Sequence, residues 1–240
     1  MLSEIIGGAA LGGAGVLAYA VRGRSSRILG PSVWRGPRDR PAVALTFDDG
    51  PSESTPELLG ALARHSVPAT FFQCGFHVRR LPAVSRAVAE AGHEIGNHSD
   101  SHAPFYFRPP AFIFDELERA QLSIEDAAGV TPRLFRAPYG GRWFGVGAAQ
   151  RRLGLLGVMW TVIGLDWKRT AAEITRRVLR HAGNGAIICL HDGRELQADP
   201  DISETVEAVR RIVPALLDRG FRFETVSGLL GRPLTRIAGQ

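Results

Sequence analysis

The chain has 240 residues, 45% hydrophobic and 22% charged, a balance that excludes a disordered, collagen-like or disulfide-stapled polypeptide and leaves room for one or two domains. Its net charge of +5 comes from 29 basic and 24 acidic residues, and Lys168 is the only lysine. The arginines are dispersed among acids with no basic run beyond two residues, so the charge reads as compositional bias and gives no basis for a nucleic-acid partner.

The first element differs from the rest of the chain. Residues 5–21 are 17 uncharged, mostly apolar or small residues, followed by Arg22, Arg24 and Arg27. That length is at the lower edge of what spans a bilayer. Five glycines weaken it as a helix in water, and Glu4 with no preceding Lys or Arg argues against a cleaved signal peptide. We read residues 1–27 as an apolar, anchor-like helical segment, giving membrane association through residues 5–21. Positive charge on its C-terminal side predicts a cytoplasmic domain. Residues 28–40, with Gly30, Pro31, Gly36 and Pro37, read as a linker.

From Pro41 the pattern becomes regular. Runs of strand length fall at residues 42–47, 69–74, 93–98, 134–139, 155–162, 186–191 and 221–226. Helical spacing fills the gaps. One helix starts at Ser54-Thr55-Pro56-Glu57, others cover 82–92 and 112–129 with Gly92 and Gly129 as stops, and two more cover 170–181 and 203–220. Seven strands alternating with helices predict an α/β fold, a parallel barrel or a doubly wound sheet, with chemistry at the C-terminal strand ends. Cys74 and Cys189, 115 residues apart in apolar runs, read as buried free thiols.

Reactive side chains do gather at those strand ends. TFDDGP (46–51) closes the first strand with adjacent Asp48 and Asp49, which either form a turn or divide a cation-binding and a basic role. HSDSH (98–102) follows the third strand, and two imidazoles four residues apart can reach one ion. Three ligands, Asp49, His98 and His102, would leave coordination positions open, the layout of a catalytic site. Nitrogen and oxygen donors suit Zn²⁺, with Co²⁺, Ni²⁺, Mn²⁺ or Fe²⁺ as alternatives. RAPYGG (136–141) offers Arg136 and a glycine-rich backbone able to meet an oxyanion. GLDW (164–167) and CLHDG (189–193) bring Asp166 and His191, a carboxylate–imidazole combination that makes a better proton donor near neutrality. Cys189 and His191 alternate onto one strand face, but no second pair completes a Cys-His zinc site.

TFDDGP, HSDSH, RAPYG, DW and LHDG, in this order, resemble the polysaccharide deacetylases of the NodB-homology type (carbohydrate esterase family 4) over residues 41–230, leaving 231–240 as a tail. The resemblance implies a distorted (β/α) barrel of about seven parallel strands and one divalent metal held by Asp49, His98 and His102. It implies Asp48 as the base that activates water, Arg136 as the group that orients it, and His191, tuned by Asp166, as the acid. It implies further that the Tyr139 backbone stabilises the oxyanion, and that Trp167 and Leu190 contact substrate. The implied activity is removal of N-acetyl groups from an N-acetylated carbohydrate, with an extracytoplasmic catalytic domain and no identifiable protein partner. Hydrolysis of a non-carbohydrate amide and an inactive, membrane-anchored carbohydrate-binding protein are the alternatives. Two positions depart from the family pattern: Ile163 stands where an Asp is frequent, and Cys189 where Leu is usual.

Overall fold

The expected alternation is present, but in shorter and more numerous pieces than seven strands. The computed structural model describes residues 13–231. Its strands are β1 (Ser32–Val33), β2 (Ala42–Gly50), β3 (Thr70–Gln73), β4 (Glu94–Asn97), β5 (Leu134–Phe135), β6 (Leu156–Val158), β7 (Val162–Ile163), β8 (Ala186–His191) and β9 (Arg222–Phe223). All of their pairings are parallel, in the order β1-β6-β5-β4-β3-β2-β8-β7, with β9 on the start of β2. A helix whose described part is 13–22 comes first, as α1. After it come α2 (Thr55–Ala63), α3 (Gly75–Arg80), α4 (Pro82–Glu90), α5 (Pro110–Ala128), α6 (Val146–Leu153), α7 (Ala171–His181), α8 (Ser203–Asp218) and α9 (Val226–Leu229).

Local chemistry sets several of the boundaries. Pro56 sits in the first turn of α2, where its missing N–H costs nothing. Gly129 ends α5 at φ +68°, a left-handed conformation that glycine adopts freely. Thr170 and Glu173 form a reciprocal capping box at the start of α7.

Strand alternation divides the interior. On β2, Val43, Leu45 and Phe47 face the helices, in a cluster with Ile188 and Leu190 of β8 and Ile212 of α8. Ala42 and Ala44 face the other way, with Phe72, Ile187 and the α9 residues Val226 and Leu229. Small alanines leave room there for α9 to cover the inner face.

Two expectations change. The run 155–162 is not one strand. Its first half, β6, lies near one end of the sheet and β7 forms the other end. Between them the Met159 N–H donates to the Val33 carbonyl (2.7 Å) and the Thr161 N–H to the Ile187 carbonyl (2.8 Å). One apolar run thus joins the two ends of the sheet, curving it into a distorted, barrel-like array. The stretch 28–40 is not a free linker either, because β1 within it pairs with β6 and Arg35 bridges Ala186.

Of the apolar run 5–21, residues 5–12 lie outside the described residues, as do residues 232–240 of the tail. Among the described residues no helix is long and apolar enough to cross a membrane.

Candidate active site

The end of β2 explains how neighbouring carboxylates come to face one site. Alternation puts Thr46 and Asp48 on the inner face. Opposite β3, however, Asp48 pairs with Phe72 and Gly50 with Gln73, so Asp49 is an extra, bulged residue at φ +72°. The bulge turns the Asp49 side chain toward the same cavity as Asp48. Gly50 is required just beyond, since a Cβ there would collide with the Asp192 carboxylate.

Arg136, fully buried, fixes Asp48. Its Nη1 donates to Asp48 Oδ1 at 2.6 Å and to Thr46 Oγ1 at 2.8 Å, while Nε donates to the Val158 carbonyl at 3.1 Å. The guanidinium lies 4.2 Å from the Phe72 ring centroid. A buried cation is costly unless paired and hydrogen-bonded, and here it is both.

Asp49 Oδ1 lies 3.1 Å from Nε2 of His98 and 3.1 Å from Nε2 of His102. Burial would raise the Asp49 pKa, but the two imidazoles outweigh it and hold the carboxyl well below its usual range. His98 Nδ1 donates to the Arg136 carbonyl at 2.7 Å, which fixes the ring with Nε2 turned toward Asp49, the nitrogen that would be left to bind an ion. His102 has no such bond among the described residues; its ring rests against Tyr139 at 4.7 Å. One carboxylate oxygen and two imidazole nitrogens within 4.8 Å of one another fit a divalent cation in both donor type and convergence.

The acid side lies across the cavity. Asp166 Oδ1 is 2.9 Å from His191 Nδ1, and Oδ2 accepts from the His191 N–H and from Thr205 Oγ1, both at 2.8 Å. Burial alone would lower the His191 pKa. The Asp166 charge and hydrogen bond overcome this and raise it to about 9, while Asp166 itself is lowered. His191 is thus a protonated donor at neutral pH. The Trp167 ring, 46% exposed, meets His191 edge-on at 5.0 Å. Tyr139 is 45% exposed at φ +55°, and its hydroxyl donates to Glu195 Oε1 at 2.9 Å.

Leu190 is the correction. Along β8 the side chains of Ile187, Cys189 and His191 alternate inward, so Leu190 points into the helix-side core and does not line the cavity. Cys189 does, donating its S–H to Asp48 Oδ2 at 3.4 Å. Asp48, Cys189 and His191 also bring ligating atoms within 4.8 Å, but burial pushes the Cys189 thiol far above its usual range, which disfavours the thiolate a metal needs.

Asp48, Asp49, His98, His102, Tyr139, Trp167, Cys189 and His191 line one cavity of about 740 Å³, with Arg136 and Asp166 behind its wall. Residues beyond the motifs also contribute. The Glu195 N–H donates to Asp49 Oδ2 at 3.0 Å, and Arg22, from the apolar segment, lies on the cavity wall. Thr46 was within reach of an alternation argument, whereas Glu195 and Thr205 carry no local signal.

The polysaccharide deacetylase family model matches residues 35–158. A chitooligosaccharide deacetylase of Bradyrhizobium sp. (strain ANU 289) is 38% identical over 197 residues, 78% of this chain and 90% of that protein. The peptidoglycan-N-acetylglucosamine deacetylase PgdA of Listeria monocytogenes serotype 1/2a (strain 10403S) is 34% identical over 194 residues, 80% of this chain but 39% of that protein. Among solved structures, the Bc1960 peptidoglycan N-acetylglucosamine deacetylase superposes with a TM-score of 0.80 at 31% identity, covering 85% of this chain and 95% of the other.

Proposed function

The chain belongs to the polysaccharide deacetylase family, and from that premise we propose that it is a metal-dependent hydrolase removing N-acetyl groups from a carbohydrate that contains N-acetylglucosamine. The relatives named above share that sugar between chitooligosaccharide and peptidoglycan. The observation that carries the reading is a buried carboxylate, Asp48, and an Asp166-paired imidazole, His191, on one cavity with the Asp49–His98–His102 cluster.

Asp49, His98 and His102 would hold the ion, and their donor set favours Zn²⁺. When bound, such an ion lowers the pKa of water toward about 7 and polarises a carbonyl. Asp48, oriented by Arg136, takes the proton of the attacking water as its oxygen bonds to the acetyl carbon. His191 gives its proton to the departing nitrogen as the C–N bond breaks, releasing acetate and a free amine. Asp166 holds His191 in position and charged. The Tyr139 backbone N–H would meet the developing oxyanion, the Tyr139 ring resting on His102, and Trp167 would wall the acyl group. No nucleophilic side chain is needed.

Acetate release from chitooligosaccharides, peptidoglycan fragments and lipid-linked N-acetylglucosamine tests the reading. Metal-replete, folded protein that releases none from any of them would sink it. The apolar run 5–21 supports membrane association, and the family likeness supports an extracytoplasmic catalytic domain. A topology reporter fused after Gln240 tests that placement, and a cytoplasmic signal overturns it.

A further inference from the structure

Beside the catalytic mouth lies an exposed aromatic surface that the hydrolytic roles leave unused. Phe107, in the loop between β4 and α5, is 85% exposed and stands at φ +59°, a conformation unfavourable to any residue with a Cβ. Its ring leans on Trp143 at 4.7 Å, and Trp143 meets Phe144, 57% exposed, at 5.3 Å. Two exposed phenyl rings joined through a half-buried tryptophan form an apolar patch of the kind that marks a contact surface.

The apolar run enters the domain at this same surface. The Arg142 N–H donates to the Val21 carbonyl at 3.1 Å, and its buried guanidinium donates to the carbonyls of Ser26 and Gly23. Arg142 directly precedes Trp143 and Phe144, so the run is fixed to the loop that carries them. Arg22 lies 5.1 Å from the Tyr106 ring centroid and on the cavity wall. Arg22, Arg24 and Arg108 pair with no carboxylate among the described residues.

We propose that this face docks on an anionic phospholipid bilayer, with Phe107, Trp143 and Phe144 entering the headgroup region and the arginines meeting lipid phosphates. The cavity then opens at the membrane surface and takes a sugar presented there. That last consequence rests on the hydrolytic reading; the docking does not. A glycan-stacking platform fits less well, because the most exposed groups are phenyl rings, joined through α1 to exposed aliphatic Val16 and Leu17.

The test uses the full chain with vesicles of phosphatidylcholine and phosphatidylglycerol in equal parts, carrying brominated acyl chains. Tryptophan emission is expected to be quenched, and amide hydrogen exchange to slow across residues 104–109 and 141–145. Trp143→Phe should remove most of the quenching while the exchange protection persists. Arg108→Gln should weaken vesicle affinity by about fivefold, the loss expected for one arginine near a charged surface. Phe107→Ser with Phe144→Ser should reduce both signals, with an unchanged melting profile as the control for folding. Vesicle binding that leaves exchange at the two loops unaltered overturns the proposal, as does protection by a soluble chitooligosaccharide and not by vesicles. Neither readout requires turnover, so a chain that docks but releases no acetate keeps the docking and loses the hydrolytic reading.

Discussion

Asp48 and Asp49 differ by one peptide bond, and the bulge between them separates what their loss should do. Asp49→Asn removes the charge on which both imidazoles converge. Metal content measured after dialysis should fall from one equivalent toward none. Asp48→Asn leaves that cluster intact, so metal should be retained while kcat falls by about 10²–10⁴, the usual worth of a positioned base. Equal metal loss in both variants would refute the division of roles. The acid side makes a pH prediction. His191 donates a proton only while charged, so the alkaline limb of the rate profile belongs near its raised pKa of about 9. Asp166→Asn removes the charge that raises it and leaves the burial that lowers it. The limb should therefore move to lower pH, and an unmoved limb would exclude His191 as the donor. The sign for stability follows. A folded pKa above the unfolded value of about 6.5 contributes stability in full below that pH, and loses it as pH climbs through about 9. At this scale the motifs made most of the site legible, because TFDDGP, HSDSH and RAPYG each carry chemistry within a few residues. Leu190 was misread because the family pattern names positions, and only β8's pairing with β2 shows which of them faces the cavity.

Helices were legible where the chain marks their ends. The 112–129 pattern became α5 with Gly129 as its left-handed cap, and the stretch from Thr170 became α7 behind a capping box. Thr170→Ala should remove that cap at a cost of about 1 kcal/mol. For a domain of this size the melting temperature should fall by about 2–4 °C per kcal/mol. Acetate release per folded molecule should stay unchanged, since Thr170 does not line the catalytic cavity; a loss of activity at unchanged stability would contradict this account. Other elements lacked such marks. α3 and α6 are 6 and 8 residues long with no side-chain N-cap bond, and α6 begins at Val146, shortly after the glycine-rich motif that ends at Gly141. The stretch 221–226 reads as a strand by its aromatic and β-branched residues. Only Arg222 and Phe223 pair, because Thr225 caps α9 and its hydroxyl accepts from the Gly228 N–H at 3.1 Å.

Closure of the whole molecule was the least legible feature, because it depends on pairings between distant segments. β1 is two residues between Gly-Pro punctuators, invisible to any periodicity, yet it protects β6 on one edge. The Gly157 N–H donates to the Pro31 carbonyl at 3.1 Å, Met159 N–H to Val33, Thr161 Oγ1 to Trp34 at 2.9 Å, and Gly36 N–H to Gly185 at 2.8 Å. A chain begun at Pro41 loses all of these and exposes a bare edge. At about 1 kcal/mol each they amount to a large part of a typical net stability of 5–15 kcal/mol. The consequence reaches the site, because the Val158 carbonyl on β6 receives the Nε of Arg136, which orients Asp48. A chain begun at Pro41 should therefore melt lower by about 10 °C or more and aggregate. Its residual soluble fraction should show reduced kcat with its metal still bound. A chain begun at Ile28 keeps β1 and should match the full chain in kcat, while melting lower because buried Arg142 loses the carbonyls of Val21, Gly23 and Ser26. If the two truncations show the same kcat, the edge strand contributes nothing to holding Arg136, and barrel closure does not support the base.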